Sequence, residues 1–162
     1  MTSHNEIRKW LDLHGLARCR VNIHDEVECS VGISLPDFSG IPSPPPFKFS
    51  SVQGDFLCGR TPLESIDWLP TYVGNNFDCS ATNIKSFAGL HERIQYIGGT
   101  FFGTHGNIPT HHLGLLLIPG IKRFSFANKT LDDIFNKYVG TGDILSAQDE
   151  LIDAGFIDQA RL

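Results

Sequence analysis

Between Ser51 and Leu90 the chain states one pattern twice. Val52-x-Gly54-x-Phe56-x-Cys58 returns as Val73-x-Asn75-x-Phe77-x-Cys79, and five residues after each cysteine stands an aliphatic residue, Leu63 and then Ile84. Cys29-Ser-Val31-Gly-Ile33-Ser-Leu35 fits the same template upstream, and Ile97-Gly-Gly99-Thr-Phe101-Phe-Gly103 fits it downstream. The starting positions 29, 52, 73 and 97 are 23, 21 and 24 residues apart. A unit that recurs at this spacing and alternates in polarity with period two is a short strand whose copies stack as rungs. Stacking predicts a parallel sheet with Ile33, Phe56, Phe77 and Phe101 in one inner column and Leu35, Cys58, Cys79 and Gly103 in another. Thr61 and Thr82, each three residues past a repeat cysteine, are placed to satisfy turn backbone groups with their hydroxyls.

The two ends follow other periods. Ser3-His-Asn-Glu6 reads as a capping box for a helix carrying Ile7, Trp10 and Leu11, which Gly15 stops. Arg18 to Ile23 and Glu26 to Leu35 alternate around His24-Asp25, as in a hairpin leading into the first rung. Phe38 to Pro46, which contains "SGIPSPPP", is a proline-fixed loop. Thr130 to Asp133 starts a second helix with Leu131, Ile134, Phe135 and Tyr138; Gly140 and Gly142 break it, and Asp143 caps a third with Leu145, Leu151 and Ile152. The expected fold is α+β: a short leucine-rich-repeat-like parallel β-solenoid forming one domain over 1–162. Residues 1–28 supply a helix and hairpin cap, 29–126 the rungs, and 127–162 a helical cap that shields the last rung.

With "FKFSSVQGDFLC" and "YVGNNFDCSATNIKSF" as rungs, Trp10-Leu11 in the leading helix and the tail "GDILSAQDELIDAGF", the chain resembles the short leucine-rich-repeat-like proteins encoded by tailed bacteriophages. It departs from them at Thr61 and Thr82, where they commonly carry Asn, and at Gly103, where they prefer Cys. The resemblance implies the solenoid and a viral origin more firmly than any activity.

Chemistry is sparse. A formal charge of −5 with pI near 5.7 argues against nucleic acid, whose phosphates need clustered Lys and Arg. No apolar run reaches the length of a membrane span, and the start lacks a signal peptide's apolar run, so a cytoplasmic location is expected. In that compartment Cys19, Cys29, Cys58 and Cys79 read as small buried thiols. No nucleophile elbow, phosphate loop or dinucleotide fingerprint occurs, and a non-enzymatic protein without cofactor is expected. His105, His111 and His112 in "GTHGNIPTHHLG" are the alternative: a small-ligand or metal site, though no helical scaffold fixes their spacing. The favoured site is the outward face of the rungs, with Asp55, Leu57, Asn76, Asp78, Thr100 and Phe102 as a mixed polar and apolar patch for a protein partner. A structural component of a phage particle is the weaker alternative.

Overall fold

The computed structural model describes residues 3–35, 47–103 and 108–162. The proline loop expected at 38–46 therefore lies outside the described residues. Helix α1 (His4–Leu13) opens the chain with the expected capping box: Ser3 accepts from the Glu6 amide, and the Glu6 carboxylate accepts from the Ser3 amide. Its Ile7 and Leu11 are buried. Strands β1 (Cys19–Val21) and β2 (Val27–Cys29) form the expected hairpin, with Asp25 in the left-handed region at the turn.

The rungs supply β3 (Ile33–Ser34), β4 (Phe49–Val52), β5 (Phe56–Leu57), β6 (Tyr72–Val73), β7 (Phe77–Asp78), β8 (Tyr96–Ile97) and β9 (Thr100–Phe102), with the short helix α2 (Leu90–Arg93) ahead of β8. Each repeat that reads as one alternating strand is in fact two strands joined at a corner. The first sheet has the order β1-β2-β4-β6-β8; the second collects β3, β5, β7 and β9 together with β10 (Arg123–Ser125), a strand that follows the four copies of the template. Among the described residues, all strand pairings apart from the β1–β2 hairpin are parallel.

The corner has a steric cause. The backbones of successive rungs approach so closely there that a Cβ on Gly74 would strike the Gln53 carbonyl oxygen, and one on Gly98 would strike that of Gly74. Only glycine permits the approach.

Inside, the expected columns hold. Ile33, Phe56, Phe77 and Phe101 are aligned by strand register, and all are buried. The rings of Phe56 and Phe77 stack at 5.6 Å between centroids and those of Phe77 and Phe101 at 5.3 Å. Phe124 of β10 extends the column. Leu35, Cys58, Cys79 and Gly103 are likewise buried, and a side chain on Gly103 would run into the Phe126 ring, which explains the missing cysteine there. Leu63 and Ile84 drop into the core, and the Thr61 and Thr82 hydroxyls donate to the carbonyls of Cys58 and Cys79.

The cysteines split into two kinds. Cys58 and Cys79 are free and buried, as expected, and burial pushes both thiols up, out of reach of thiolate chemistry. Cys19 and Cys29 are joined in a disulfide, against the expectation of four thiols. They face each other across the β1–β2 ladder, a pairing that the sequence spacing does not display.

The far end is closed by α3 (Lys129–Tyr138), capped by the Asn128 side chain, and α4 (Ile144–Asp153), capped by Asp143 as expected. In α4 the buried face is Ala147 and Leu151; Leu145 and Ile152, expected to be apolar anchors, are 75% and 45% exposed. The C-terminal tail then returns over the last loop: His111 N–H donates to the Asp158 carbonyl, and those of His112 and Leu113 to the Gln159 carbonyl. Among the described residues no helix is long and apolar enough to cross a membrane.

Candidate interaction face

The six residues of the expected patch divide between a corner and a strand face. Asp55 and Asn76 lie in the corner, where their side chains hold the next rung in place. Asp55 Oδ1 accepts from Asn75 Nδ2 at 2.7 Å and from the Asn76 amide at 2.9 Å; Asn76 Oδ1 accepts from the Thr100 amide at 2.8 Å. Between strands the backbone turns away from the ladder and leaves amides unpaired, and these oxygens satisfy them. Asp55, Asn76 and Thr100 are half-buried, with their polar groups largely committed to the solenoid.

Leu57, Asp78 and Phe102 form a true column. Register places Leu57 opposite Asp78 and Asp78 opposite Phe102, with Ser34 and Ser125 at its two ends. Neighbouring members are one strand spacing apart, about 4.8 Å. Leu57 and Asp78 are half-buried and Phe102 is 37% exposed. Asp78 accepts from the Ser80 amide at 2.8 Å, a local turn bond that fixes its carboxylate, and it makes no ion pair among the described residues. Its charge is therefore available to a cation brought from outside.

Of the three histidines, the described pair His111 and His112 diverge. His105 lies outside the described residues. His111 has positive φ and its Nδ1 sits 3.1 Å from Ser86 Oγ and 2.7 Å from Thr110 Oγ1. His112 points the other way, into the core, with its ring 5.0 Å from those of both Phe87 and Phe126. The His112 ring is enclosed by phenyl groups, so His111 and His112 are not turned toward a common point. Among the described residues no group of three His, Cys, Asp or Glu side chains is arranged to hold a metal ion.

Two clusters escape a reading of the sequence. Tyr72 and Tyr96 stack at 5.1 Å on the outer face of the first sheet, and Arg8, Arg18 and Arg20 meet around one pocket at its hairpin end. The tyrosines share a position one residue before the repeat start and could have been found by extending the template; the arginines lie on different elements and share no period. Compared with protein-family models, curated proteins and solved structures, the chain finds no match.

Proposed function

We propose that the protein is a non-enzymatic interaction module whose protein partner docks on the outer face of the second sheet. Following the resemblance to phage proteins, the partner is a host protein met in the host cytoplasm. The observation that supports this reading is the Leu57–Asp78–Phe102 column, in which two apolar side chains flank a carboxylate with no cation of its own. A partner complementary to it presents apolar side chains on either side of a Lys or Arg. A few such anchors near the centre of a patch carry most of an interface's energy, on the order of 2 kcal/mol each. Asp55 and Asn76 at the corner, with Thr100 at the start of β9, set the edge of the face.

The test is retention of partners from a host lysate by the wild type and by variants. Phe102→Ser and Leu57→Ser should each cost about 2 kcal/mol of stability, since well over half of each side chain is buried, and should leave the protein folded. Both should release a protein that the wild type retains, and Asp78→Lys should release the same one. Folded variants that retain everything the wild type does would reject the face. The Cys19–Cys29 bond bears on the compartment, because disulfides persist in oxidising surroundings. In the cytoplasm the pair should react as two thiols after rapid alkylation and unfolding; a fully oxidised pair would move the protein elsewhere.

A further inference from the structure

At the hairpin end of the first sheet, on a different face from the proposed partner site, lies a pocket of about 450 Å³. Arg8, Arg18, Arg20, Glu28, Ser51 and Gln53 line it. Three guanidinium groups gathered at one pocket stand out in a chain of net charge −5. Their placement follows from the fold. Ile7 and Leu11 bury one side of α1 and leave Arg8 on its exposed side. Cys19 points inward to its disulfide, so its neighbours Arg18 and Arg20 both point out. The segment is held firmly: the Ser30 amide and hydroxyl both donate to the Arg18 carbonyl, and the Cys19–Cys29 bond ties the two strands beside it.

Charge accounting at the pocket leaves a surplus. Glu28 is its only carboxylate, and that group is already engaged. Arg20 Nε donates to it at 2.9 Å, its second nitrogen lies 2.8 Å away, and Asn22 adds an amide. The Arg8 and Arg18 guanidinium groups have no hydrogen-bond or ion-pair partner among the described residues, and neither do the Ser51 hydroxyl and the Gln53 side-chain carboxamide. Two unpaired guanidinium forks with neutral donors beside them form a wall of donors without a matching acceptor. Guanidinium geometry fits the paired oxygens of a phosphate or carboxylate, and the volume lies in the range of small-ligand sites, about 300 to 1,000 Å³.

We propose that this pocket binds the oxyanion group of a small ligand, phosphate or carboxylate, through Arg8 and Arg18, with Ser51 and Gln53 as secondary donors. Arg20 and Glu28 form its fixed side wall. The site is independent of the partner face, and variants at Leu57 and Phe102 should leave it intact.

The test is titration of the full-length protein with inorganic phosphate, with citrate, and with chloride at matched ionic strength, followed by amide NMR shifts and thermal unfolding. Saturable shifts centred on Arg18, Ser51 and Gln53 are expected with at least one oxyanion and not with chloride. A response to phosphate alone assigns a phosphorylated ligand, and one to citrate alone a carboxylate. The double variant Arg8→Gln/Arg18→Gln should weaken binding at least tenfold while melting like the wild type, because neither side chain has an internal partner. Should that variant fail to fold, Ser51→Ala should weaken binding severalfold in a folded protein. Equal responses to chloride, shifts centred elsewhere, or double-variant affinity within twofold of the wild type would overturn the proposal.

Discussion

Acid should find His112 before it finds any carboxylate. The ring is fully buried among Phe87, Phe126 and Phe135, and among the described residues neither nitrogen has a hydrogen-bond partner. Burial, assisted by the neighbouring His111, pushes its pKa down from 6.5 to about 3. Between those values the unfolded chain takes up a proton that the folded protein refuses, so stability falls as pH falls, at about 1.4 kcal/mol per pH unit. Above pH 6.5 both states are neutral and the full stability is present; from pH 7.5 to pH 4.5 the loss sums to about 2.5 kcal/mol. The carboxylates held below their usual range, Glu28 by Arg20 and Glu150 by Lys137, contribute above their ordinary value of 4.5 and lose that contribution only as pH falls below it. The two windows are thus separate. His112→Leu replaces the imidazole with an apolar side chain of similar volume, and it should abolish the slope between pH 6.5 and 4.5. At pH 7.5 the variant should lie between unchanged and about 2 kcal/mol more stable, because two unsatisfied buried polar atoms are removed. Denaturant unfolding of both proteins across this range is the assay. Parallel profiles, or a variant destabilised by more than about 2 kcal/mol at pH 7.5, would refute the reasoning, since the imidazole would then have to be paired or hydrated in the folded protein.

Phe77→Ala removes the middle ring of the stacked column and should cost about 3 to 5 kcal/mol in chemical denaturation; a loss under about 1 kcal/mol would contradict its burial. Reducing Cys19–Cys29, which closes a loop of sequence separation 10, should lower stability by about 3 kcal/mol, read as a shift in denaturant midpoint between oxidised and reduced protein. Asp55→Ala leaves the half-buried Asn76 amide without its acceptor and should cost about 1 to 3 kcal/mol, whereas Asp55→Asn, which keeps an oxygen in place, should recover most of it. Gly74→Ala should destabilise strongly, because its methyl group meets the Gln53 carbonyl rather than a side chain that can swing away; wild-type melting would mean that the corner is looser than described.

What the sequence by itself determined is whatever repeats or is local. The period of 21 to 24 residues set the stacking, and the alternation around Phe56, Phe77 and Phe101 set which side chains meet inside. Ser3 with Glu6, and Asp143, marked helix starts, because a cap bonds within three residues of itself. The candidate face was legible in part: Leu57, Asp78 and Phe102 follow from period two, which fixes faces on either side of a strand. Only the tertiary structure decided that each rung bends into two strands, at a corner that holds Gly32, Gly54, Gly74 or Gly98. Alternation reads the same along a straight strand as along two short ones joined at a corner, and the bend is imposed by backbone from the neighbouring rung. That bend turned Asp55 and Asn76 from outward groups into inter-rung ties. Contacts between distant segments likewise decided the Cys19–Cys29 pairing, the seat of His112 among three phenyl rings, the fifth strand at Phe124 and the meeting of Arg8 with Arg18. These depend on which elements pack together, and a periodicity confined to one element carries no record of its neighbours.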